Sequence, residues 1–262
     1  MGVVNVTPDS FSDGGRFLQP DDAVRHGRRL LAEGADWLDV GGESTRPGAS
    51  PVSEAEELRR VIPVVEALAA EGTRVSIDTR KPAVARAAAA AGASLLNDVG
   101  AAQGPLAAEL GLGWVAMHVQ GEPATMQHRP TYRDVVAEVL DHLLEVAAVA
   151  EAAGAPEVWI DPGIGFGKTE AHNLALLAHL DAFVAAGRPV VVGTSRKAFL
   201  GRLLGASDGA AAPAPVEDRL EGSLATATWA FACGAAMVRA HDVRATVHAA
   251  EVVGGHITEE AA

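Results

Sequence analysis

The chain has 262 residues, 48% of them hydrophobic, and 34 acidic residues against 21 Lys and Arg give a formal net charge of -13. That balance argues against a nucleic-acid or anionic-membrane surface, because phosphates would repel the chain and no local run of Lys and Arg offsets the repulsion. A single cysteine excludes an intrachain disulfide, and the 28 glycines suit one large buried core, hence one domain over residues 1–262.

Apolar runs of strand composition occur in chain order at Gly2–Val6, Trp37–Val40, Arg74–Ile77, Ser94–Leu96, Trp114–Met117, Val158–Ile160, Pro189–Val192 and Met237–Arg239. Between them, Glu54–Ala70, Tyr132–Ala153 and Glu170–Ala186 carry apolar residues at helical spacing, and Ser53 with Glu56 forms a capping-box pattern. Gly205–Val216, with its Ala-Pro repeats, reads as a loop joining two helices. Strand–helix alternation means parallel pairing. An open doubly wound sheet alternates in the same way, but it usually carries a GxGxxG turn after the first strand, and Thr7–Gly15 has none. The expected fold is a single-domain α/β protein, a closed (β/α)8 TIM barrel, and the chain is close to the roughly 250 residues typical of one. Cys233, in an apolar stretch, reads as a small buried hydrophobe and implies a reducing compartment. No basic leader precedes the first strand, and the longest uncharged run, Gly222–Val238, is too short to span a bilayer, so the expected location is cytoplasmic.

The strand ends carry the chemistry. In order they present Asn5, Asp39 with Glu43 just after, Asp78, Asn97 and Asp98, His118, Asp161, Ser195 with Lys197, and Arg239 with His241 and Asp242. In a closed parallel barrel all these ends open on one face. Burying so many ionisable groups together costs stability unless they pair or bind something, so a shared polar ligand is the economical explanation. Taken singly, Asp39, Asp98 and Asp242 read as structural hydrogen-bonding groups at the rim. Only three lysines, Lys81, Lys168 and Lys197, and three asparagines, Asn5, Asn97 and Asn173, occur in a chain that otherwise prefers Arg and Ala, which marks each as a candidate. For Lys81 and Asn173, chance survival is an equal explanation. The nine histidines are scattered without an HExxH pattern, so nothing resembles a zinc site.

These segments resemble a known family, the dihydropteroate synthases, over nearly the full chain. The resemblance is carried by Asn5–Gly15, Gly41–Gly48, Ser76-Ile77-Asp78-Thr79, Asn97-Asp98-Val99, Met117-His118 with Gln120-Gly121, Asp161-Pro162-Gly163 followed by Gly165-Phe166-Gly167-Lys168-Thr169, Gly193 with Ser195-Arg196-Lys197, and Arg239 with His241-Asp242-Val243. It implies condensation of (7,8-dihydropterin-6-yl)methyl diphosphate with 4-aminobenzoate, with Mg2+ and without a covalent enzyme intermediate. It also implies a homodimer, with the apolar Leu220–Val238 region as the candidate surface, although a helix stripe facing the barrel explains that region equally well.

Under that resemblance Asp161 accepts from the pterin amide N–H and exocyclic amine, Asp78 and Asn97 satisfy the rest of the ring edge, and Lys197 donates to ring acceptors and covers one face. Val99, Met117, Phe166 and Gly193 complete the pterin site. Diphosphate falls to Asn5, Thr45, Arg46, Arg239 and His241, with Arg239 and His241 two apart and so on one face of the last strand. Asn5 and Asp13 are the expected Mg2+ ligands, and the ion keeps several waters. Phe11, Pro47, Phe166, Ser195 and Ala198 form the 4-aminobenzoate slot, whose carboxylate meets the helix N-terminus after Lys197. Asp13, Arg46 and Lys197 are the expected catalytic residues. Many relatives place a hydroxyl or basic residue where this chain has Ala198, so carboxylate contact there falls to backbone N–H groups. Three rival readings are a Schiff-base role for Lys197, a methyltetrahydrofolate-binding methyltransferase barrel, and a catalytically silent paralogue. The Thr7–Gly15 and Ser195–Lys197 motifs argue against the methyltransferase, and the presence of Asp13, Arg46 and Lys197 argues against the silent paralogue.

Overall fold

Short strands alternate with helices along the chain: β1 (Gly2–Asn5), α1 (Pro20–Ala32), β2 (Leu38–Gly41), α2 (Glu54–Ala70), β3 (Val75–Asp78), α3 (Pro82–Ala90), β4 (Leu95–Val99), α4 (Gly104–Leu110), β5 (Gly113–Met117), α5 (Val135–Ala152), β6 (Val158–Asp161), α6 (Glu170–Ala178), α7 (Leu180–Ala185), β7 (Val191–Val192), α8 (Ala198–Ser207), α9 (Leu220–Ala232), β8 (Met237–Val238) and α10 (Val243–Gly254). The structure, a computed structural model, describes residues 1–7, 20–44, 51–122 and 125–254. Strands β1 to β6 form one parallel sheet in chain order, and β7 pairs with β8. Single parallel bridges, Ile160 with Val190 and Gly2 with Ala240, join β6 to β7 and β8 to β1. The sheet therefore closes, and the open doubly wound alternative is excluded.

Each strand is buried on both faces, and the period of two divides its residues between two cores. Leu38, Val40, Val75, Ile77, Leu96, Ala116, Val158 and Ile160 pack outward against the helices. Trp37, Leu95, Val115, Val191 and Met237 form a separate interior cluster inside the barrel. Two residues further along five of these strands the inward positions are Asp39, Asn97, Met117, Gly193 and Arg239. The barrel interior thus changes from apolar to mostly polar as the strands approach their C-terminal ends, and that change creates the site.

Local signals explain most helix boundaries. Ser53 accepts from the Glu56 N–H at 3.3 Å, but the Glu56 carboxylate is taken by Arg59 and Arg60, so only half of the expected capping box forms. The reciprocal box occurs instead at Thr169 and His172. Helix α5 starts later than the periodicity of Tyr132–Ala153 predicts, because Asp134 caps it by accepting from Val136 and Ala137 N–H at 3.0 and 3.1 Å. The run Glu170–Ala186 is two helices rather than one, interrupted at His179, whose backbone leaves the helical region at φ −117° and ψ 31°. The Ala-Pro stretch does join two helices, α8 and α9, although α8 extends to Ser207. Cys233 is half-buried against the core, not fully buried, and burial raises its thiol pKa.

Candidate active site at the C-terminal strand ends

Arg239, just after β8, lies across the barrel and gathers residues from three other strands. Its Nε donates to Asp39 Oδ2 at 2.6 Å and its Nη2 to Asp78 Oδ2 at 3.0 Å. Asn97 Nδ2 donates to the same Asp39 oxygen at 3.0 Å. Asp39 is fully buried, and its other oxygen, Oδ1, has no hydrogen-bond partner. Its role is structural, as its sequence position suggests, and its charge is the anchor for Arg239. Burial and the neighbouring Asp39 push the Asp78 carboxyl up to about 7, against the pull of Arg239. Arg239, expected with His241 at the diphosphate, thus already shares its guanidinium between two carboxylates.

The β6–α6 turn supplies a second group. Asp161 ends β6 in register with Met117, which pairs in turn with Val99, so these three predicted pterin-site residues adjoin. Gly163 N–H donates to Asp161 Oδ1 at 2.7 Å, and Oδ2 makes no hydrogen bond among the described residues. Burial raises the Asp161 carboxyl, while Lys197 pulls it down. The Lys197 ammonium donates to the Ile164 carbonyl and lies 4.6 Å from the centre of the Phe166 ring. Burial lowers Lys197 to about 8, with Asp161 opposing. Gly193 lies between the two cations: a Cβ on it would meet Arg239 Cβ at 3.8 Å and Lys197 Nζ at 3.9 Å, ordinary van der Waals contact.

A third group surrounds the start of α8. Ser195 Oγ lies 3.0 Å from His241 Nδ1 and accepts from the His241 backbone N–H at 3.1 Å. Arg196 adopts φ 60°, uncommon for a residue with a side chain, and is fastened on every side. Its N–H donates to Ser223 Oγ, its carbonyl accepts from Arg219, and its guanidinium pairs with Asp242 through two bonds of 3.0 and 2.5 Å. That turn places Lys197 at the N-cap in extended conformation and leaves Ala198 exposed as the first residue of α8. Asp242 and Asp98 are structural as expected, Asp98 accepting from Gln103 N–H at 2.7 Å and the Trp114 indole at 3.2 Å.

Asn5, the last residue of β1, is half-buried, and its side chain makes no hydrogen bond among the described residues. Phe11, Asp13, Thr45, Arg46 and Pro47 lie outside the described residues. Glu43 and Lys81 prove to be partners at 2.8 Å, and Lys81 also pairs with the fully buried Glu57, which accepts from Thr79 Oγ1 at 2.6 Å. Lys81 is therefore a structural cation. Sequence reasoning missed Glu57, Arg219 and Ser223; only a partner brought close by folding reveals them.

A closed parallel barrel with carboxylates, an amide and buried cations converging at one end is the architecture of a barrel enzyme that reads a polar heterocycle. Residues 1–241 match the pterin binding enzyme family. The chain is 51% identical over 262 residues to a dihydropteroate synthase of Mycobacterium leprae, covering 97% of this chain and 92% of that protein. A Yersinia pestis dihydropteroate synthase solved with a sulfonamide drug superposes with a TM-score of 0.89 at 44% identity, covering 100% of this chain and 94% of the other. A Xanthomonas albilineans dihydropteroate synthase in complex with 7,8-dihydropteroate superposes with a TM-score of 0.84 at 46% identity, covering 97% and 91%. The chain belongs to the dihydropteroate synthase family of pterin binding enzymes.

Proposed function

We propose that this protein joins (7,8-dihydropterin-6-yl)methyl diphosphate to 4-aminobenzoate, giving 7,8-dihydropteroate and diphosphate. The observation that carries the reading is the convergence of Asp78, Asn97, Asp161 and Lys197 from four different strand ends. Two carboxylates, an amide and an ammonium match a heterocycle edge that alternates N–H donors with ring acceptors. In the reaction the C–O bond at the pterin methylene breaks with its electron pair leaving on diphosphate, the amine lone pair forms the C–N bond, and the amine loses a proton. The residues contribute mainly positioning and charge stabilisation. His241 and Arg239 are assigned to the diphosphate oxygens. Ser195 and the free N–H groups at the start of α8 receive the benzoate carboxylate.

Mg2+ fits the donor set: Asn5 offers a side-chain oxygen free of hydrogen bonds among the described residues, and those residues contain no cluster of three His, Cys, Asp or Glu able to cage an ion. An ion taking most of its ligands from phosphate and water suits such a site. Asn5 with Asp13 would hold it, and its chemistry would be to neutralise charge on the leaving diphosphate. We further assign a cytoplasmic homodimer with the α9 face as its surface, where Trp229 is 50% exposed. Among the described residues no helix is long and apolar enough to cross a membrane.

A single-turnover assay with the pterin diphosphate and 4-aminobenzoate tests the activity. Dihydropteroate should form, and chelation by EDTA should abolish it; no product at any Mg2+ concentration would refute the assignment. The pH dependence is a second test. Asp78 accepts a pterin N–H more strongly when ionised than when protonated, and burial beside Asp39 holds its carboxyl at about 7, so pterin affinity should rise as pH increases through that value. Asp78→Asn should flatten the profile, and a titration in which wild type and variant share one pH dependence would remove Asp78 from the pterin edge.

A further inference from the structure

Lys168 is a buried cation that the reaction does not use directly. It is 2% exposed, and its Nζ lies 2.9 Å from His118 Nδ1, 3.0 Å from the carbonyls of Gly163 and Phe166, and 3.4 Å from the His118 carbonyl. An ammonium has three N–H groups and no lone pair, so only the charged form can face four acceptors without repulsion. His118 suits this role: burial and the adjacent Lys168 hold its ring down to about 3, so it is neutral, and in the tautomer protonated at Nε2 its Nδ1 accepts from Lys168. Burial draws Lys168 itself down to about 7, while Asp161 pulls the other way.

The surrounding turn explains why a cation is needed. Gly163, Gly165 and Gly167 all have positive φ, at 64°, 89° and 62°. A Cβ on Gly163 would lie 1.8 Å from the His118 carbonyl oxygen, and one on Gly167 2.2 Å from that of Gln120. The β6–α6 turn thus lies backbone against backbone on the end of β5, with carbonyl oxygens from both segments pointing inward. Without a positive charge between them those dipoles would repel. The outer side is fastened separately, by Tyr132 donating to the Gly167 carbonyl at 3.0 Å and by Asn173 accepting from Gly165 N–H at 2.8 Å.

We propose that Lys168 is a positioning residue for pterin recognition: its ammonium acts as a built-in cation that pins this turn, so that the Ile164 carbonyl and the Phe166 ring hold Lys197 over the pterin. The inference rests on the pterin reading of the site. Ile164 and Phe166 lie between Gly163 and Lys168, the residues this ammonium ties together, and both contact Lys197. Lys168 touches no substrate and acts only through Lys197.

The test is a double-mutant cycle of Lys168→Met and Lys197→Ala, read by calorimetry with 6-hydroxymethylpterin and by kcat/KM for the pterin diphosphate. Methionine keeps the length and removes the charge. Displacement of Lys197 by about 1 Å should lower kcat/KM about a hundredfold in Lys168→Met. In the Lys197→Ala background the same substitution should change pterin affinity by no more than about twofold, since the group it positions is gone. Equal losses in both backgrounds would overturn the proposal and leave Lys168 a general structural residue, as would full pterin affinity in Lys168→Met. Should Lys168→Met fail to fold, Lys168→Gln, which keeps hydrogen-bond donors but not the charge, enters the same cycle with the same two outcomes. Wild-type protein that fails to bind the pterin refutes the functional reading itself, a result distinct from either.

Discussion

Arg239→Ala is expected to destabilise the protein by about 3 to 5 kcal/mol, the usual cost of removing one partner from a buried ion pair. The guanidinium is the charged partner of the fully buried Asp39, and Asn97 is the other group bonded to that carboxylate. Its loss leaves one carboxylate without a counter-charge in the barrel interior and sets Asp78, already raised to about 7, next to it. For a chain of this size the melting temperature should fall by roughly 6 to 20 °C. Adding Asp39→Asn should recover part of the loss, because it removes the stranded charge. Pterin and diphosphate should both bind less well in the single variant, since the residue that faces the leaving group also orients the pterin carboxylate Asp78. A variant that melts with wild type would mean that the Arg239–Asp39 pair contributes nothing net.

Asp161→Ala should weaken pterin binding by about 1.5 to 3 kcal/mol for each charged hydrogen bond removed, with two such bonds at stake if the pterin amide and amine both donate. One Asp161 oxygen is committed to Gly163 N–H, which keeps the carboxylate aligned, and the other is open. Inorganic diphosphate provides the internal control, because the anion site lies on other strand ends and should keep its affinity. Calorimetry separates the two ligands. Undiminished pterin affinity in a folded Asp161→Ala protein would refute the assignment, and loss of both ligands would indicate a collapsed turn.

Much of this protein was readable along the chain, for a definite reason. A buried parallel strand is a short apolar run ending in polar residues, and that pattern is local. Trp37–Val40 and Trp114–Met117 therefore coincide with β2 and β5 to within one residue. Where a boundary depended on side-chain competition the local pattern was insufficient, as at Glu56, whose carboxylate prefers two arginines to its own helix cap.

Which residues line the barrel mouth follows from strand ends and period, so Asn97, Asp161, Lys197 and Arg239 could be named from the amino-acid order, together with the family to which the motifs belong. Their pairing could not. Arg239 meets Asp39 across 200 positions only because the barrel closes between β8 and β1. Lys168 becomes a cation centre only because a glycine turn brings carbonyls of two strand ends within 3.4 Å of it. Composition and periodicity determine which residues are buried and which reach the rim, since those depend on hydrophobicity and backbone geometry. Charge pairing and the displaced proton affinities of Asp78, Asp161 and Lys197 depend on distance and local dielectric, and only the closed tertiary structure sets these.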